Sequence, residues 1–264
     1  SKIGDITGNF SGNSVQFGSG SVYGGAVYNE GKIGKINGDF VANKTSTAES
    51  YVYGGAIFNL DTIDTINGNF IGNSVSTSGY YSYAYGGAVH NTSDSTIGNL
   101  HGNFINNFAF SADSSAYGGA IYNGSKDTAI IGDITGDFIG NYASVSAVNG
   151  IAKGGAIYNS SNGTAIIGDI TGNFLSNYVQ YLSKYSKLTL GGAVYSNANL
   201  SFTAKGKQRF FSGNYTNDQT RGKNYNALFV QSVTDLASAP VIAFDTTGGG
   251  AWVVNDSIEG GYAS

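Results

Sequence analysis

Two short motifs alternate along this chain, and their spacing leaves few folds open. Gly-Gly-Ala followed by Val or Ile begins at Gly24, Gly54, Gly86, Gly118, Gly154 and Gly191; Phe-x-x-Asn begins at Phe10, Phe40, Phe70, Phe104, Phe138, Phe174 and Phe211. Successive Phe positions lie 30, 30, 34, 34, 36 and 37 residues apart. A near-constant period means one structural unit reused with loops of changing length. Within each unit the apolar positions fall in short runs broken by Gly, Asn and Asp, and none has the length or the period of a helix. The expectation is an all-β parallel solenoid of about six to eight coils, with roughly three short strands per coil.

Aligning the units predicts what fills the interior. Ile3, Ile33, Ile63, Ile97, Ile131 and Ile167 share one column, and Ile6, Ile36, Ile66, Leu100, Ile134 and Ile170 another. Stacked at the strand spacing of about 4.8 Å, these columns and the Phe column become continuous apolar ladders. The Asn residues of the second motif, Asn13, Asn43, Asn73, Asn107, Asn141 and Asn177, are placed at an inward corner where stacked amides bond to one another. A buried amide left unpaired costs about 1–3 kcal/mol, so such a ladder has to be satisfied throughout. Gly recurs between the second Ile and Phe, as Gly8, Gly38, Gly68, Gly102, Gly136 and Gly172, which predicts a corner that excludes a Cβ.

Gly is 41 of 264 residues, but without a three-residue period and with a single Pro, which excludes collagen. Apolar residues at 41% and aromatics at 13% argue against disorder. With no Cys, disulfides and thiolate metal sites are excluded, and a net charge of −4 supplies no basic footprint for nucleic acid. No run of apolar residues is long enough for a membrane helix, so no membrane insertion is expected of this segment. The start in mid-unit and the lack of Met suggest a processed or excised chain. Residues 1–197 read as the repeat region; residues 198–264, where the unit loosens, read as divergent terminal coils or a cap continuous with it.

Between Phe-x-x-Asn and the next Gly-Gly-Ala the letters change freely and Tyr is abundant. Tyr supplies a large contact area at low entropic cost, so Tyr80, Tyr81, Tyr83, Tyr85, Tyr178, Tyr181 and Tyr185 form the candidate recognition edge. The structural alternative is that these rings pack on a flat solenoid face. A second aromatic column, Tyr28, Phe58, His90, Tyr122, Tyr158 and Tyr195, follows Gly-Gly-Ala and is expected to point outward, steadying the sheet or stacking on a sugar ring.

Catalytic chemistry finds little support. Asp133 and Asp169 share a slot in neighbouring coils with Asp137 nearby, and such carboxylates could bind Ca²⁺ or act in acid–base catalysis; the same slot holds Asp5, Lys35, Thr65 and Asn99 elsewhere, which favours a solvated polar column. His90 and His101 are the only histidines and lack metal-ligand spacing. No catalytic residue, metal or cofactor is assigned. Asn-x-Ser/Thr sequons, at Asn43, Asn91, Asn123 and Asn214 among others, are expected from composition.

The interleaving of Gly-Gly-Ala-[Ile/Val] with Phe-x-x-Asn, closed by Asn226–Val230 and Trp252–Gly261, resembles the polymorphic membrane proteins of chlamydiae and related bacterial autotransporter passengers. The resemblance implies a right-handed parallel β-helix exported by a type V route and anchored in the outer membrane through a region outside this chain. It also implies a non-enzymatic role in adhesion, with a host or neighbouring cell surface, protein or glycan, or another copy of itself as partner. The alternatives are a subunit of an extracellular fibre assembled by solenoid stacking and a polysaccharide-active β-helix enzyme.

Overall fold

The computed structural model describes residues 1–124, 126–160, 162–183, 188–218, 222–231 and 240–260. They form a parallel β-solenoid of about seven turns. Each turn contributes five strands, not three. In one turn they are Thr62–Asn67, Phe70–Ile71, Ser74–Thr77, Tyr83–Tyr85 and Val89–Asn91, which define five columns, first to fifth. The two additional columns come from the variable Tyr-rich segment, whose small residues let it lie flat against the neighbouring coil.

Pairing between coils is in register. Ile63 sits between Ile33 and Ile97, Phe70 between Phe40 and Phe104, and Phe58 between Tyr28 and His90. The Phe rings therefore stack in parallel from Phe10 to Phe211, with centroids 4.5–4.8 Å apart. That distance is the strand spacing itself, so backbone pairing sets the ring geometry. The main core holds the Ile and Phe ladders and the Val/Ile residues after Gly-Gly-Ala. A second, thinner core between the third and fourth columns is built mostly from Ala and Val, including Val75, Ala84, Ala109, Ala116 and Ala143. Small side chains there let the two sheets approach closely.

The Asn ladder is a directed relay. Asn73 donates from its backbone N and its Nδ2 to Oδ1 of Asn107, each at 2.9 Å, and its Nδ2 also donates to the carbonyl of Phe40 at 2.8 Å. The pattern repeats from Asn43 to Asn214. It ends at Asp256, whose carboxylate accepts from the N–H groups of Gly213 and Asn214 and from Asn214 Nδ2. A carboxylate has no hydrogen to pass on, so it closes the relay. A parallel ladder joins Asn29, Asn59, Asn91, Asn123 and Asn159 through their side chains. Its sequence signal is an Asn three residues after the Ala of the first five Gly-Gly-Ala copies; Ser196 takes the place in the sixth and accepts from Asn159.

Two glycine positions are dictated by close approach. A Cβ on Gly38, at φ 156°, would lie 2.0 Å from the carbonyl oxygen of Gly8. At the Gly-Gly corner, a Cβ on Gly119 would meet the carbonyl oxygens of Gly155 at 2.1 Å and Tyr142 at 2.4 Å. There the backbone folds back onto the start of the third column, backbone against backbone.

At the C-terminal end the fourth column stops with Leu188–Leu190. Strand Gly222–Val230 pairs antiparallel with Tyr215–Asp218 through its first half and parallel with Val194–Ser196 through its second, joining the third and fifth columns directly. Trp252 packs over Phe202, Phe211 and Phe244 and covers the end of the Phe stack. Among the described residues no helix is long and apolar enough to cross a membrane.

The relay makes position in the ladder decide cost. Asn107→Leu removes an acceptor of two donors and leaves the Phe70 carbonyl and Asn141 Oδ1 each short of a donor. A loss of roughly 2–6 kcal/mol is expected. Asn13→Ala, at the exposed end, is expected to cost about 1 kcal/mol or less. Urea denaturation of both variants checks this; equal midpoints would show that the relay does not hold the coils together.

Candidate binding face

The outer surface carries two aromatic features, one at the corner between the fourth and fifth columns and one on the loops between the third and fourth. At the corner, Tyr23, Tyr53, Tyr85 and Tyr117 of the fourth column pack against the aromatic column of the fifth. Tyr23 lies 4.8 Å from Phe58, Tyr53 5.0 Å from His90, Tyr85 4.9 Å from Tyr122 and Tyr117 4.9 Å from Tyr158, mostly at steep angles. Within each column the rings stack, as in Tyr53–Tyr85 at 5.1 Å and Tyr122–Tyr158 at 5.0 Å. The fifth-column aromatics do leave the sheet on its outer side, yet Phe58, His90 and Tyr195 are buried and only Tyr28 is well exposed. The sheets meet at the Gly-Gly corner with an angle tight enough for one column to cover the other.

A sugar stacks on an open ring face, and from Phe58 to Tyr195 the rings of this column pack against their neighbours, leaving edges and hydroxyls outward; Tyr28, stacked on one side only, keeps an exposed ring. Burial raises the phenols of Tyr53, Tyr85, Tyr122 and Tyr158 above their ordinary pKa, and that of Tyr117 to about 12, so all remain neutral donors and acceptors at physiological pH. Lys153 replaces Tyr in the fourth column, with Nζ 4.2 Å above the Tyr195 ring, and burial lowers its pKa. His90 is 3% exposed, and its Nδ1 makes no hydrogen bond. Burial lowers its pKa from 6.5 to about 3, with the Tyr85 backbone acting in the opposite direction.

A groove of about 530 Å³ opens along this corner, walled by Tyr53, Tyr85, His90, Tyr122 and Tyr158. Its other wall is polar, with Thr92, Ser93, Lys126, Ser160 and Asn162 from the turns that follow the fifth column.

The second feature lies on the loops. Tyr80 and Tyr81 are 86% and 81% exposed, and Tyr81 holds the left-handed conformation at φ 53°. Its N–H donates to the carboxylate of Asp113 in the next coil at 2.6 Å. A bulky residue in this region costs roughly 1–2 kcal/mol, so the turn is strained while both rings face solvent. A recess of about 510 Å³ separates these tyrosines from Ala147, Val148 and Asn149 of a later loop.

The other members of the expected edge lie elsewhere. Tyr83 and Tyr85 are half-buried in the ladders, and Tyr83 stacks on Tyr51 at 5.2 Å. Tyr178 stacks between Tyr142 and Tyr215 on the third column. Tyr181 is buried, its hydroxyl donating to the Ala147 carbonyl, because its strand position points inward. It is therefore removed from any recognition surface. Tyr185 lies outside the described residues. The seven tyrosines thus do not form one patch.

Asp133 Oδ1 accepts the N–H of Asp169 at 2.9 Å, and Asp5 Oδ1 that of Lys35 at 2.8 Å, so this slot caps the neighbouring coil. Asp137 receives the N–H and Nδ2 of Asn173 in the same way. Among the described residues no group of three or more His, Asp or Glu could hold a metal ion. The sequons at Asn43, Asn91, Asn123 and Asn214 are buried in the two Asn ladders.

His90 ties this corner to pH. Its folded pKa of about 3 lies below the unfolded value near 6.5, so between these limits the unfolded chain binds the extra proton. Stability is full above about pH 6.5 and falls by on the order of 1 kcal/mol per unit as the pH drops toward 3. The facing groups Tyr53, Tyr85 and Tyr122 stay neutral over that range. His90→Phe, the residue type that Phe58 supplies in this column, should flatten this part of the stability profile; an unchanged acid limb would place the titration elsewhere. No family model, curated protein or solved structure matches this chain.

Proposed function

We propose that this chain is a non-enzymatic binding scaffold, displayed outside the cell as the passenger of an autotransporter-like protein and acting in adhesion. The observation that carries the reading is the strained turn at Tyr80 and Tyr81. Tyr81 is held at positive φ by a turn that its N–H ties to Asp113 of the next coil, and that turn leaves both rings in solvent, where strain of this kind can serve presentation of a surface. A partner able to cover two tyrosines would recover that apolar area, and tyrosine is a frequent anchor of interfaces. The core ladders repeat with little change while these loops vary, which suits a rigid stalk carrying adaptable edges. Surface display and an outer-membrane anchor rest on the motif resemblance alone.

Fibre formation by end-to-end stacking has weaker support. No contact among the described residues favours it over the Tyr80–Tyr81 turn. Polysaccharide cleavage is disfavoured because the carboxylates of Asp133 and Asp137 are engaged by backbone N–H groups of the next coil.

Tyr81→Gly separates presentation from folding, because Gly accepts positive φ without strain. With Tyr80→Ser beside it, stability is expected to stay level or rise while attachment of protein-coated beads to cells falls at least tenfold. Undiminished attachment would remove the loop tyrosines from adhesion.

A further inference from the structure

We propose that the groove between the fourth and fifth columns is a saccharide-binding site, occupied by a short glycan chain lying along the solenoid axis. The inference rests on reading the chain as a binding scaffold and concerns a different surface from the Tyr80–Tyr81 turn. The groove exists where the turns after the fifth column lengthen. Two residues connect Ile57–Asn59 to Thr62–Asn67; three connect Val89–Asn91 to Ser95–His101; four connect Ile121–Asn123 to Thr128–Ile131 and Ile157–Asn159 to Thr164–Ile167. Thr92, Ser93, Gly124, Lys126, Ser160 and Asn162, the described residues of these turns that line the groove, bound with the aromatic wall a space of about 530 Å³, within the usual range for a small-ligand pocket.

The chemistry of the walls selects the ligand class. The aromatic wall presents ring edges and neutral phenol oxygens at steps of about 5 Å, since each ring face is covered by its neighbour. Opposite stand hydroxyls of Thr92, Ser93 and Ser160 and the amide of Asn162. Among the described lining residues Lys126 is the only charged group.

Rows of neutral groups that both donate and accept match a ligand carrying a hydroxyl on nearly every carbon. A nucleic acid would need a basic track, and one lysine does not make one. A peptide binding as an added strand would need an open sheet edge, whereas these strands are paired on both sides.

An array carrying neutral galactosides, glucosides and mannosides beside sialylated and uronic-acid oligosaccharides tests the site with the unmodified chain. At least one class should be retained, and titration with that saccharide should show roughly tenfold or greater weakening in Tyr85→Phe/Tyr122→Phe. That double variant keeps the ladders and removes only two hydroxyls, so its denaturation midpoint should match the parent. Lys126→Gln distinguishes the classes: it weakens binding if the ligand is acidic and leaves it unchanged if neutral. The proposal is overturned if no saccharide is retained, or if the double Phe variant binds as tightly as the parent. Loss of cell attachment in Tyr80→Ser/Tyr81→Gly without saccharide retention would leave the adhesive reading standing and remove the groove from it.

Discussion

Each coil of this protein is held by the backbone groups that the next coil offers at one strand spacing, and every other feature has to accommodate that distance. Because the coils pair in parallel and in register, like side chains fall above like, and a choice made in one coil is repeated in the next. An Ile or Phe column then becomes a continuous apolar seam. An Asn column becomes a relay in which one amide oxygen takes two donors from the preceding coil while its own nitrogen reaches both the following amide and a carbonyl behind it. The same repetition makes the glycine corners strict, since a single Cβ would stand about 2 Å from the carbonyl of the neighbouring coil.

What the coil spacing does not constrain is the outward direction, and there the chain varies. Loops between the third and fourth columns and turns after the fifth change length without disturbing any ladder, so they can carry recognition at little cost to stability. Two different surfaces arise in this way. One is a pair of rings held out on a strained turn and anchored by Asp113. The other is a groove whose wall of aromatic edges is built from side chains that also stabilise the fold. His90 lines this groove and fills an aromatic slot of the ladder as a neutral imidazole.

In the last described coil the ladders change character. The amide relay meets a carboxylate, the Phe stack meets Trp252, and one strand bridges the third and fifth columns where the fourth has ended, while Ile242–Asp245, Ala251–Val254 and Ser257–Gly260 carry the first, second and fifth columns on.

From the sequence by itself came the all-β solenoid, the approximate number of coils, the Ile, Phe and Asn ladders and the glycine corners. These follow from alignment alone, because in-register stacking converts a repeated letter into a column whose neighbours are known. Only the tertiary structure decided that each coil has five strands, that Tyr181 points inward, that Phe58 and His90 are covered, and that Tyr83 and Tyr85 belong to ladders while Tyr80 and Tyr81 stand free of them. The covering of Phe58 and His90, for one, comes from fourth-column rings that meet them across the Gly-Gly corner. Spacing along the chain places a side chain on one side of its strand, but what lies over that side belongs to another sheet.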